Sequence, residues 1–146
     1  MAPTGVSIIL PVFRAEAGAL RDAYSSVRNQ TFRELEILTV INGADAGLTR
    51  LAYALAADEP RGRVIELAKP SLAAALNTGL RAAKFDLVAR MDADDTCRPA
   101  RIERQAAFMR EHPGVTVLGT AWDVVNHEGG LVRIERPWPD PRLNSS

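Results

Sequence analysis

Three aspartates fall within four residues in the segment 89–99, which reads ARMDADDTCRP. Asp92, Asp94 and Asp95 come directly after an apolar run that predicts a buried strand. Because residues i and i+2 of an extended chain point the same way, Asp92 and Asp94 are predicted to aim at one spot and Asp95 elsewhere. Two converging carboxylates suit a hard divalent cation, Mg²⁺ or Mn²⁺, which would offset their repulsion. Such an ion could bridge phosphate oxygens and stabilise a departing diphosphate.

A second interpretation of these acids needs no ligand. Pro99 suits the first turn of a helix, so Asp94, Asp95 or Thr96 could simply cap that helix. The acidic pattern alone leaves both interpretations open. Its position favours ligand binding, because parallel α/β sheets bind ligands outside the carboxyl ends of their strands.

The apolar pattern predicts the elements that must position the acids. Helix-spaced apolar residues separate the strand-like runs, and Ser71 is predicted to cap the third helix. This alternation predicts an α/β fold with a mainly parallel sheet and helices on both faces. A fifth strand is predicted at 115–125, followed by a hairpin turn at 128–130. The four strands of this sheet are predicted at residues 6–12, 35–41, 63–67 and 85–91, and the first is a continuous apolar run typical of a strand buried on both faces.

The totals exclude several classes of protein. Lysine plus arginine equals aspartate plus glutamate at 18 each among 146 residues, so no global field would attract nucleic acid. No apolar run approaches the length of a membrane span. One cysteine excludes an intrachain disulfide, and two histidines leave no Ser/His/Asp or Cys/His set. The N-terminus lacks a signal-peptide pattern, which predicts a cytoplasmic protein, with peripheral membrane association open for the full-length protein.

Four segments together resemble the nucleotide-binding half of family-2-type inverting glycosyltransferases with the GT-A fold. The resemblance covers residues 6–136, nearly the whole chain, and predicts one donor-binding domain over residues 1–136 with a Pro-rich tail or linker at 137–146. In chain order, the segments read VSIILPVFRAE, SSVRNQTFRELEILTVINGAD, LAAALNTGLRAAKFDLVARMDADD and RPARIERQAAFMREHP.

The resemblance implies a nucleotide-diphospho-sugar donor, Mg²⁺ or Mn²⁺, and transfer of the sugar with inversion to a glycan or lipid-linked acceptor hydroxyl. Asp94 would ligate the metal, supported by Asp92, which lies near the ribose with Ala93 beside it. Asn42 would contact the nucleobase. Apart from the resemblance, Asn77 in the segment ALNTGL could lie near the diphosphate. The segment after the first strand would line the nucleotide pocket with Pro11, Val12, Phe13 and Glu16.

Two positions depart from the family pattern. Arg14 stands where many relatives have asparagine, and Ile41 with Asn42 stands where many have two acids. An asparagine oxygen can accept a hydrogen bond from a base but carries no charge, so the base preference stays open. The family takes its catalytic base from a later acidic residue in the acceptor-binding half. We therefore expect that base beyond Ser146 and expect this chain to be a fragment of a longer protein.

Other residues have structural explanations as well as functional ones. Cys97 is predicted to be a small filler rather than a reactive thiol. Gly79 could serve the diphosphate site or let a helix pack close to the sheet. Trp122 is expected in the core.

Two alternative functions remain. One is a nucleotidyltransferase that makes sugar nucleotides, which is disfavoured because PVFRAEAG lacks a Gly-rich basic signature. The other is a binding module without catalysis.

Overall fold

The computed structural model describes residues 5–136, and the chain forms two compact units that meet in sequence between Glu111 and His112. The prediction of one domain over residues 1–136 stays a prediction, and the tail at 137–146 lies outside the described residues. The first unit contains β1 (Val6–Val12), α1 (Ala17–Arg28), β2 (Leu35–Ile41), α2 (Ala46–Ala57), β3 (Gly62–Glu66), α3 (Leu72–Ala82), β4 (Leu87–Arg90) and α4 (Arg101–Glu111).

The four strands of the first unit form one parallel sheet in the order β3-β2-β1-β4. In the register, Val6 pairs with both Leu35 and Leu87, so the central strand β1 begins level with its two neighbours. Every residue of β1 is buried, as its apolar run predicts. Every residue of β2 is buried as well, including the polar Glu36 and Thr39. Since all four strands run the same way, the segments that follow them emerge at one edge of the sheet.

Helices cover both faces of the sheet. Alternate residues of β1, including Ile8 and Leu10, face a core that contains the apolar sides of α1, α2 and α4. On the opposite face, Ile9 and Val40 pack with Ala75 of α3. This division follows from the two-residue period of a strand. The buried apolar positions of each helix repeat at three- or four-residue spacing, as the sequence predicts.

The second unit contains an antiparallel hairpin of β5 (Trp122–Val125) and β6 (Leu131–Glu135). The predicted hairpin turn is present, with Gly129 at φ +81°. The fifth strand is shorter than predicted, because residues 115–121 form no strand, and it pairs with β6 rather than joining the parallel sheet. The expectation that Trp122 is a core residue is wrong, since its side chain is 55% exposed.

Among the described residues, no helix combines the length and hydropathy needed to cross a membrane.

Candidate functional site

An open cleft of about 580 Å³ lies at the carboxyl edge of the parallel sheet. The loops after β1 and β2, the first turns of α1 and α2, and the acidic turn after β4 all contribute to its wall. This is the edge at which the strand directions predict a ligand site. The lining residues are Phe13, Arg14, Ala15, Glu16, Ala19, Gly43, Asp45, Leu48 and Asp94.

The loop after β1 provides an aromatic ring and a cation to the cleft. Val12 is fully buried and ends the strand, whereas Phe13, the next residue, is 41% exposed. The Arg14 guanidinium lies over the Phe13 ring, 4.9 Å from its centroid. This cation–π contact stabilises both side chains in the open loop. The loop therefore presents a flat apolar surface and a positive charge to any ligand in the cleft.

The turn after β2 is built around Asn42, which is buried. Its backbone N–H donates to the Val12 carbonyl at 2.7 Å, and its side-chain Oδ1 accepts the Ser71 N–H at 2.5 Å. Ser71 in turn caps α3, as predicted, by accepting the Ala74 N–H at 3.2 Å. The Asn42 side chain thus joins the end of β2 to the start of α3. Its oxygen already has one partner within the protein.

Two further features close this turn. Gly43 has φ +80°, a conformation that disfavours other residues, and a Cβ there would lie 2.5 Å from Pro70 Cγ. Asp45 caps α2, since its Oδ1 accepts the Gly47 and Leu48 N–H groups at 2.8 Å each. Asp45 therefore brings a second acidic side chain to the cleft wall beside Glu16 while also starting a helix.

The acidic turn after β4 is held by its apolar residues. Met91 and Ala93 are buried in the core, and the acids beside them reach the surface. Asp92 turns toward Arg90: the Arg90 Nε and Nη2 atoms donate to Asp92 Oδ1 and Oδ2, both at 2.9 Å. Asp94 instead lines the cleft. The structure thus gives the two carboxylates different surroundings.

The neighbouring acids of this turn affect the pKa of Asp95. Its pKa is raised above its usual value, first by partial burial of the carboxyl group and then by the charges of Asp94 and Asp92. Arg101 and Arg90 oppose this shift. A cation placed among these acids would relieve their repulsion.

The segment that follows the acids is fastened to α1 by the buried Gln30 side chain. Gln30 Nε2 donates to the Arg98 carbonyl at 2.9 Å and the Ser26 carbonyl at 3.0 Å, and Oε1 accepts the Ile102 N–H at 3.0 Å. Cys97 packs in the same place, 3.3 Å from Gln30 Nε2. These contacts support the interpretation of Cys97 as a filler.

The predicted site residues are only partly brought together. Phe13, Glu16 and Asp94 share the cleft. The remaining six do not line it: Pro11, Val12 and Ala93 are buried, Asn42 bonds to Ser71, Asn77 is exposed on α3, and Asp92 bonds to Arg90. The roles assigned to all nine residues stay predictions.

The sequence assigned no role to two charged residues of this region, Asp45 and Arg90. The sequence could have predicted Asp45 as an N-cap, because it stands between the Asn42-Gly43 turn and a helix. The sequence could also have predicted that Arg90 lies near Asp92. Arg90 precedes Asp92 by two residues on an extended segment, where side chains two residues apart point the same way.

The oxygen donors of the cleft fit a magnesium or manganese ion. Mg²⁺ typically binds one or two protein carboxylates and fills its other positions with water and substrate phosphates. Asp94 provides such a carboxylate at the open cleft, with Glu16 and Asp45 on the same wall. Within residues 5–136, no three histidine, cysteine or acidic side chains group closely enough to form a complete metal site. A metal here would therefore depend on ligand oxygens.

Comparison with known proteins supports the sequence resemblance. The family model described as "Glycosyl transferase family 2" matches residues 7–144. The amylovoran biosynthesis glycosyltransferase AmsE of Erwinia amylovora is 32% identical over 132 residues, which are 89% of this chain and 49% of AmsE. The O-antigen biosynthesis glycosyltransferase WbnJ of Escherichia coli is 28% identical over 130 residues, 88% of this chain and 50% of WbnJ. The chain thus spans about half the length of these relatives.

A solved structure with a similar fold is the mannosyltransferase PcManGT from Pyrobaculum calidifontis, in complex with GDP-Man and Mn²⁺. The two proteins superpose with a TM-score of 0.65 and 25% identity, over 86% of this chain and 36% of PcManGT. The predicted GT-A-type α/β fold, with its mainly parallel sheet, is confirmed.

Proposed function

Because this chain belongs to glycosyl transferase family 2, we propose that it is the donor-binding part of a metal-dependent, inverting glycosyltransferase. The donor is a nucleotide-diphospho-sugar, and the acceptor is a hydroxyl of a glycan or lipid-linked glycan. The relatives named for amylovoran and O-antigen biosynthesis support a role in cell-surface polysaccharide synthesis.

The observation that carries this proposal is the position of Asp94. It is the only one of the three clustered acids that lines the cleft. It does so together with Phe13 and Glu16 from the loop after β1 and with Asp45 from the turn after β2. Three elements that are distant in sequence thus converge at the carboxyl edge of the sheet. That arrangement suits a ligand with a flat base, a ribose and a diphosphate.

In this proposal, each side chain has a defined task. The Phe13 ring offers a surface for apolar packing, and Arg14 offers a positive charge to a phosphate oxygen. Asp94 and its supporting neighbour Asp92 hold Mg²⁺ or Mn²⁺, and the bound ion supplies Lewis-acid stabilisation to the departing diphosphate. The rigid turn at Asn42 shapes the base end of the cleft. No residue of the cleft is assigned as the catalytic base.

Direct titration with different nucleotide-sugars identifies the nucleobase that the donor carries. PcManGT was solved with GDP-Man, whereas the uncharged Asn42 leaves the preference of this chain open. Calorimetry with GDP-, UDP- and dTDP-sugars, with and without Mn²⁺, tests the proposal. We expect one nucleotide class to bind, with affinity that rises on adding Mn²⁺.

A pair of variants sharpens this experiment. Asp94→Asn should remove the dependence on Mn²⁺ and weaken metal-assisted binding at least about tenfold. Asp86→Asn is the matched control, because Asp86 is exposed and precedes β4, at the opposite edge of the sheet. Absence of nucleotide binding, or binding that ignores both Mn²⁺ and Asp94→Asn, contradicts the proposal. Pyrophosphate release from a nucleoside triphosphate and a sugar phosphate would instead indicate a nucleotidyltransferase.

A further inference from the structure

The loop between β1 and α1 contains a cation without an acidic partner. Arg14 lines the cleft together with three acids, Glu16, Asp45 and Asp94. Within residues 5–136, Arg14 nevertheless makes no ion pair or hydrogen bond, and it stacks instead on the ring of Phe13, 4.9 Å from its centroid. A stacked guanidinium uses its flat face for the ring. The N–H donors at its edge therefore stay free for a ligand.

The backbone is held on both sides of this stack. Val12 is fully buried at the end of β1, and its carbonyl accepts the Asn42 N–H at 2.7 Å. On the other side, α1 begins directly after Glu16, whose carbonyl accepts the Leu20 N–H at 3.0 Å. Residues 13–16 thus form a short loop between two fixed ends, which limits the positions that its side chains can take.

The charges of the cleft favour an anion contact at this stack. Of the described residues that line the cleft, Arg14 alone is basic. A diphosphate that enters the cleft is repelled by Glu16, Asp45 and Asp94, so cations must offset that repulsion. A divalent ion at Asp94 would be one such cation, and the Arg14 guanidinium is another. Its planar fork can donate two parallel hydrogen bonds to phosphate oxygens.

We propose that Phe13 and Arg14 act together as an anchor for the diphosphate of the donor, an inference that rests on the proposed function. Arg14 contacts the phosphate oxygens, and Phe13 is a positioning residue whose ring holds the guanidinium at the cleft. The ring face that Arg14 covers is then closed to stacking by the nucleobase. Many relatives have a neutral asparagine in place of Arg14, so this anchor distinguishes the chain from the family pattern.

The test is a double-mutant cycle of Phe13→Leu, Arg14→Met and the double variant. Calorimetry with GDP and UDP in Mn²⁺ measures diphosphate binding, and competition against fluorescent GDP and UDP analogues measures binding of guanosine and uridine. Arg14→Met should weaken diphosphate binding about tenfold and nucleoside binding less than about twofold.

The Phe13 variants test the positioning role. Leucine keeps an apolar side chain but has no ring face, so Phe13→Leu should weaken diphosphate binding about two- to fivefold and leave nucleoside binding nearly unchanged. The double variant should lose no more affinity than Arg14→Met alone, because Phe13 acts through Arg14.

Two further variants separate charge, geometry and damage to the fold. Arg14→Lys keeps the charge but lacks the planar fork, so its affinity for the diphosphate should lie between those of the wild type and Arg14→Met. Arg21→Met is the matched control, because Arg21 is an exposed arginine of α1 that does not line the cleft. It should bind every ligand like the wild type.

The outcomes distinguish this inference from the function on which it rests. If the wild type binds no nucleotide, both are overturned. If the wild type binds GDP or UDP with Mn²⁺ but Arg14→Met matches Arg21→Met, the inference alone is overturned. Equal losses of nucleoside and diphosphate affinity in Arg14→Met also overturn it. So do fully additive effects of Phe13→Leu and Arg14→Met, because the ring would then act on the ligand independently of Arg14.

Discussion

Gly79 of α3 lies directly against Ile9 of the central strand. A Cβ added at Gly79 would stand 2.6–2.8 Å from three side-chain atoms of Ile9. Both residues are buried, and Ile9 also packs against Val40 and Ala75 on this face. Close packing of α3 on the sheet therefore explains the glycine, which favours the structural interpretation of this residue over a role at the diphosphate.

Gly79→Ala should destabilise the protein by about 1–2 kcal/mol. The overlap with Ile9 costs about 1–3 kcal/mol, and the better helix propensity of alanine offsets up to about 1 kcal/mol of it. Gly18→Ala in α1 is the control, because nothing lies within 4 Å of a Cβ there, and it should be neutral or slightly stabilising. Urea unfolding measures both changes, and shifts of the same sign and size would contradict the packing argument.

Gln30→Leu should destabilise the protein by about 2–4 kcal/mol. The change nearly preserves side-chain volume but leaves the Ile102 N–H and the Arg98 carbonyl without their Gln30 partner. Gln105→Leu is a matched control, since Gln105 is partly exposed and accepts one bond, from Arg101 at 3.1 Å. It should cost less than about 1 kcal/mol in the same denaturant titration. Equal losses would show that the buried network does not anchor the segment after the acids.

Asn42→Ala should destabilise the protein by about 1–3 kcal/mol, because it deprives the Ser71 N–H of its acceptor at the start of α3. Asn42→Asp keeps an acceptor at this position, which lies near a helix N-terminus that favours negative charge. We therefore expect it to retain most of the stability. Thermal unfolding monitored by circular dichroism ranks the stability of the variants. A larger loss of stability for Asn42→Asp than for Asn42→Ala would refute this account.

Stability should fall in acid partly through Glu59. Hydrogen bonding to Arg61 lowers the pKa of Glu59 from 4.5 to about 2, although burial of the carboxyl group acts in the opposite direction. A group with a lowered folded-state pKa stabilises the fold above its unfolded pKa. That contribution, about 3 kcal/mol, is lost as the pH falls from about 5 to about 2.

Urea unfolding between pH 6 and pH 3 checks this prediction. Glu59→Gln should be less stable than the wild type at pH 6, and the difference should shrink toward pH 3. Glu34→Gln serves as the control because Glu34 is exposed, and it should keep the pH dependence of the wild type. A pH dependence unchanged by Glu59→Gln would show that Arg61 does not hold this carboxylate ionised.

The amino-acid sequence by itself determined the four parallel strands, the helices between them and the position of the acids at a strand end. These features follow from local periods of apolar residues and from caps such as Ser71, which depend only on neighbours in the chain. The same local rules failed for residues 115–125, where an apolar, β-branched run predicts a strand and only Trp122–Val125 forms one.

Only the tertiary structure decided which partners the polar side chains take. Asn42 bonds to Ser71, 29 residues away, and Gln30 bonds to Ile102, 72 residues away. Asp94 joins the cleft with Phe13, which comes from the loop after β1. Strand order and helix placement bring such groups within hydrogen-bonding distance, and no local period encodes that distance. The sequence therefore located the acids, but packing assigned each of them its surroundings.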